Sequence, residues 1–114
     1  MVRTRTDYPF DTSVTITLEM SRACVFPLYL RVPRWCTGFL VKVNGDALDI
    51  QPGPGSYVRV EHRWSGGDLI DVEMPLDVLL TTWPRNGSVT VDRGPLSYSV
   101  QIEEEWRRCG GTDE

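Results

Sequence analysis

The stretch "LYLRVPRWC", residues 28–36, decides how the chain is read. Leu28, Leu30 and Val32 alternate with Tyr29 and Arg31, so apolar and polar side chains fall on opposite faces of an extended segment. Pro33 then removes a backbone donor, and Trp35 and Cys36 stand where a polar turn is usual. The pattern is a half-buried strand that stops at a proline.

The same period of two runs outward in both directions. Val14, Ile16, Leu18 and Met20 form one inward row, and Phe26, Leu28, Leu30 and Val32 the next. Phe39, Val41 and Val43 follow, then Val58 and Val60, then Ile70, Val72 and Met74 with Asp71 and Glu73 turned out. Val78 and Leu80, Val89 and Val91, and Leu96, Tyr98, Val100 and Ile102 complete the series. These β-branched-rich runs predict about eight or nine strands. "VNGD" (43–46) is a two-residue hairpin signal, because both turn positions favour positive φ. "QPGPGS", "WSGGD", "PRNGS" and "DRGP" break the chain at roughly ten-residue intervals. No segment carries a helical apolar period, and eight prolines interrupt most candidates. The reading is all-β: an antiparallel β-sandwich, jelly-roll or immunoglobulin-like, with one face of each sheet buried. Residues 1–104 read as the sandwich domain. Residues 105–114, where alternation has faded and the chain ends in "CGGTDE", read as a flexible or truncated tail.

Composition narrows the function classes. At 114 residues the chain is long enough for one core and too short for a second catalytic domain. Net charge is −4, and the eleven arginines and Lys42 form no basic block, which argues against nucleic acid. No apolar run reaches the roughly 20 residues that span a bilayer. Arg3 and Arg5 precede no apolar stretch, so no signal peptide is read, and the compartment stays open.

No residue set for chemistry emerges. Cys24, Cys36 and Cys109 cannot all pair within the chain, and their spacing matches no CxxC-type metal site. His62, the only histidine, shares the inward row of Val58, Val60 and Trp64 and reads as a strand-end core residue. Asp71 and Glu73 lie on one face of one strand, about 7 Å apart, with no apolar surroundings to turn either into an acid. "GPGS" and "SGGD" lack the following helix that a phosphate cradle requires. Catalytic, cofactor and metal residues are therefore none. The functional signal left is aromatic: Trp35, Trp83 and Tyr57, with Arg34 and Arg85, are candidates for a protein interface or for stacking on sugars.

Five blocks in order, "TDYPFD" (6–11), "FPLYLRVPRWC" (26–36), "VKVNGD" (41–46), "WSGGDLIDVEMPLDV" (64–78) and "VDRGPLSYSVQIEEEW" (91–106), resemble family 127 glycoside hydrolases, the β-L-arabinofuranosidase-like proteins. The resemblance implies a β-sandwich that follows an (α/α)6 catalytic barrel. It implies that the acid/base glutamate, the cysteine nucleophile and the zinc belong to that barrel, with no cofactor in this chain. The paired cysteines of such a zinc site have no counterpart here, so the cysteines inherit no role. The expected function is a non-catalytic accessory sandwich bracing the barrel. The alternative is an autonomous carbohydrate-binding or protein-interaction module. Expected partners are the barrel, carbohydrate or a second copy, with no nucleic acid and no membrane. Trp35 should cover the end of the core or pack on a neighbour, and "VPRWC" and "TWPRN" should both leave their sheets beside a proline.

Overall fold

The structure is a computed structural model describing residues 1–107; the rest of the expected tail, with Cys109, lies outside the described residues. Ten strands run in order: β1 (Val2–Thr6), β2 (Ser13–Leu18), β3 (Cys24–Arg31), β4 (Leu40–Val43), β5 (Asp46–Ala47), β6 (Tyr57–Trp64), β7 (Leu69–Glu73), β8 (Val78–Thr82), β9 (Val89–Arg93) and β10 (Leu96–Tyr98). All pairings are antiparallel and form sheets of order β1-β2-β7-β4-β5, β3-β6 and β10-β9-β8. The all-β reading holds, and so does its sandwich-like arrangement.

The five-stranded sheet and the β3–β6 ribbon enclose the core. Leu18, Val41, Ile70 and Val72 come from the first, Val58, Val60 and Trp64 from the second, and Val32, Cys36 and Phe39 from the loop after β3. The predicted inward rows of β2, β4, β6 and β7 are the ones that meet there, because register places Ile16 opposite Ile70 and Val41 opposite Val72. The Asn44–Gly45 turn has φ of 52° and 92°, the double positive conformation that "VNGD" predicts. At the β6–β7 turn Asp68 accepts hydrogen bonds from the Ser65 backbone N–H (2.7 Å) and from Asn44 Nδ2 (3.1 Å). The backbone donor, chiefly, holds its carboxyl below the usual aspartate value.

Three expectations need correction. The charged strand β1, "VRTRT", is absent from the predicted series; it forms at the sheet edge by pairing with β2, and every one of its residues is exposed. His62 faces the sandwich side but is exposed, since the Trp64 indole, edge-on at 5.0 Å between ring centroids, occupies the interior. The apolar rows of β8, β9 and β10 do not enter the core: Val78, Leu80, Val89 and Tyr98 are all exposed. Val100 and Ile102, expected to extend the last strand, lie beyond it. The consequence is an elongated molecule, with a Cα radius of gyration of 22.3 Å against the roughly 13 Å of a compact domain this size.

The third sheet is joined to the sandwich through Pro75, Leu76 and Asp77. Thr37 Oγ1 donates to Asp77 Oδ2 at 3.3 Å, and Gly94, with φ of 58°, sits so close to Leu76 that a Cβ there would overlap Leu76 Cδ2. The same Cβ would lie 3.4 Å from Trp35 Cζ3. Trp35 therefore stands at the joint between the sandwich and β8–β10.

Candidate functional site

The carboxylates are the first place to seek chemistry, and each inward-facing one has a structural partner. Asp71 accepts a 2.8 Å hydrogen bond from the Thr15 hydroxyl, its cross-strand neighbour. Glu73 takes the Lys42 ammonium at 2.7 Å, and this hydrogen bond, with the carboxylate's charge, raises the lysine pKa. Both carboxylates are half-buried on the outer face of the five-stranded sheet, which departs from the fully solvated face expected of them. Neither has the apolar surroundings that would keep a carboxyl protonated as a general acid. Among the described residues no three His, Cys, Asp or Glu converge as a metal would require.

The largest cleft, about 470 Å³, lies beside β4 and β5 and is lined by Thr37, Phe39, Leu40, Leu48, Asp49 and Ile50 among others. Asp49 is its one ionisable group, so the cleft offers no acid and base to face each other across a bond.

The cysteines divide by environment. Cys36 is fully buried in the core, and burial pushes its thiol pKa up, away from the reactive thiolate. Cys24, at the start of β3, is exposed. In the native chain a maleimide should label Cys24 within minutes and Cys36 only after denaturant is added, read by peptide mass. Rapid native labelling of Cys36 would mean that its end of the core opens.

The aromatic and arginine candidates occupy separate places. Arg34 and Trp35 form the turn after β3; Arg34 is exposed beside Gly55, and Trp35 is half-buried against the core. Trp83 and Arg85 lie in the β8–β9 loop, closed by backbone hydrogen bonds from Trp83 N–H to Ser88 C=O (2.8 Å) and from Gly87 N–H to Trp83 C=O (2.9 Å). Trp83 is 53% exposed. Tyr57 is 64% exposed on the outer face of β6. Both proline-flanked segments do leave their sheets, yet they do so on different elements and build no single aromatic row.

Sequence reading missed the neighbours of Tyr57 on that outer face. Strand pairing sets Tyr29 opposite Arg59 and Arg31 opposite Tyr57, and Arg59 pairs with Glu61 and hydrogen-bonds Tyr29, which together raise its pKa. The signal was available in the alternation of "YVRVEHRW" once β3 was known as its partner.

Comparison with known proteins follows the same lines. The family description "Beta-L-arabinofuranosidase, GH127 middle domain" matches residues 1–76. Among solved structures, a glycoside hydrolase superposes with a TM-score of 0.74 at 30% identity, covering 84% of this chain and 17% of its own. A GH127 β-L-arabinofuranosidase from Geobacillus stearothermophilus T6 does so with a TM-score of 0.74 at 32% identity, covering 84% of this chain and 16% of its own. The chain thus spans about a sixth of the relatives it matches. No curated protein matches it.

Proposed function

This chain belongs to the GH127 β-L-arabinofuranosidase family as its middle domain, and we propose that it acts there as a non-catalytic brace for the barrel of a parent hydrolase acting on β-L-arabinofuranosides. The observation that carries the reading is the state of the paired carboxylates. Asp71 and Glu73, the only such pair on one strand face, are committed to Thr15 and Lys42, so their charges serve the sheet. A retaining or inverting glycosidase needs one carboxyl held protonated and a second free to attack or to activate water. Neither condition is met here. Zinc, if the parent enzyme uses it, belongs to the barrel on this reading, and the joint residues Arg34 and Trp35 and the loop residues Trp83 and Arg85 supply surface for contact with it.

The G. stearothermophilus enzyme offers the test. Neutralising the residues aligned with Asp71 and Glu73 should leave kcat/KM within about twofold, while excising the matched segment should lower the Tm of what remains or cause it to aggregate. A loss of a hundredfold or more from one neutralised side chain, at unchanged Tm, would place catalysis in this domain and end the proposal.

A further inference from the structure

The β8–β10 sheet has one apolar face with nothing on it. Register puts Leu80 opposite Val91, and Tyr98 opposite Val91 on the other side, with Val78 and Leu96 flanking Arg93 and Val89 beside Thr82. Val78, Leu80, Val89, Val91, Leu96 and Tyr98 therefore share one face, which leaves Thr81, Thr90, Asp92 and Ser97, with Leu79, on the other. The second face is satisfied: the Ser97 hydroxyl donates to the Asp92 carboxylate. The first exposes Val78, Leu80, Val89 and Tyr98 side by side, a contiguous apolar area of the kind that marks a contact surface. A three-stranded antiparallel sheet is stable when such a face is packed.

Two further observations say what packs there. The alternation of β10 continues through Val100 and Ile102, 87% and 82% exposed, although pairing with β9 ends at Tyr98. Thr90 and Val89 of β9 remain free to receive Ser99 and Val100 on that edge, yet the chain leaves them. A segment with strand alternation that departs from an available edge has the pattern of a strand whose own partner is elsewhere. The arrangement is also shared. The structural matches cover 84% of the 114 residues, about 96, so about 20 matched positions lie beyond residue 76 and fall largely in this sheet. Those relatives are several times longer than this chain, with ample polypeptide to supply a cover.

We propose that β8–β10 is one layer of a second β-sandwich, and that its apolar face is covered by β-strands from the polypeptide surrounding this domain in its full-length relatives, which also pair with residues 99–102. The sheet-on-sheet form follows from the face itself: three twisted antiparallel strands with aligned β-branched rows pack best against a second sheet about 10 Å away. The inference rests on family membership and on the length of the relatives; it does not depend on the bracing of a barrel.

Hydrogen exchange on this chain and on the intact G. stearothermophilus enzyme tests it. In this chain, amides of β8–β10 should exchange at least a hundredfold faster than those of β2, β6 and β7. In the intact enzyme the segment aligned with residues 78–98 should be as protected as its sandwich, and alternate amides aligned with residues 99–102 should be protected too. Lysines at the positions aligned with Leu80 and Val91 should lower the Tm of the intact enzyme, whereas Leu80→Lys with Val91→Lys should leave the sandwich transition of this chain unmoved. Fast exchange of the segment in the intact enzyme would overturn the proposal. So would an unprotected 99–102 segment beneath a protected face, or slow exchange of β8–β10 in this chain as a monomer. A dimer by light scattering whose β8–β10 protection rises with concentration would assign the face to a second copy and equally overturn it. None of these readings touches kcat/KM, so the accessory role stands or falls separately.

Discussion

Trp64→Ala will cost the sandwich about 3–5 kcal/mol, the range for truncating a large core aromatic. Trp64 is fully buried at the end of β6, where it touches Phe26 with ring centroids 6.0 Å apart and planes 40° from parallel. Its Nε1–H donates to the Phe26 carbonyl at 2.9 Å. Alanine leaves a cavity between the two sheets and removes that donor at the same time. Small domains are stable by about 5–15 kcal/mol, so most of the margin goes. Trp64→Phe, which keeps most of the buried area and loses the donor, should cost about 1–2 kcal/mol. Urea denaturation followed by far-ultraviolet dichroism measures both. A change below about 1 kcal/mol for Trp64→Ala would mean that the core is not organised around this indole.

The second large effect separates two tryptophans that look alike in sequence. Each stands next to a proline-containing turn, in "VPRWC" and "TWPRN". Trp35 is half-buried against the core and lies over Gly94 at the joint with the third sheet, so Trp35→Ala should cost about 2–3 kcal/mol. Trp83 is exposed in the β8–β9 loop, and Trp83→Ala should change stability by no more than about 0.5 kcal/mol. If Trp83 serves a contact surface, its loss will be felt in association and not in the unfolding midpoint. Equal costs for the two would contradict the placement of Trp35 at the joint.

These two residues also show where sequence reading stops. Period-two alternation identified β2, β3, β4, β6 and β7 because each has one face on the core, so burial wrote the pattern directly into the residues. It also identified β8 and β9, whose alternation is equally regular, but alternation says that a face is apolar and not what covers it. The rows of Val78, Leu80, Val89 and Val91 were for that reason assigned to a core they do not enter. Strand β1 escaped because an edge strand with arginines on one face and threonines on the other leaves no apolar row. His62 was misjudged for a related reason: its position in the row was right, and the neighbouring Trp64 takes the interior. Of the candidate site residues, the departure of Arg34, Trp35, Trp83 and Arg85 from their sheets followed from the prolines. Which of them are packed followed only from tertiary contacts that no local pattern encodes, such as the meeting of Trp35 with Gly94 across the joint.

The accessory role makes one demand on the isolated chain that is simple to measure. Incubated at micromolar concentration with p-nitrophenyl β-L-arabinofuranoside, it should release nitrophenol no faster than buffer does, because the structure assembles no carboxyl pair, activated thiol or metal cluster among its described residues. Saturable release that Asp71→Asn, Glu73→Gln or Cys36→Ser abolished while the fold survived would show that the chemistry resides in this domain, and would contradict the account.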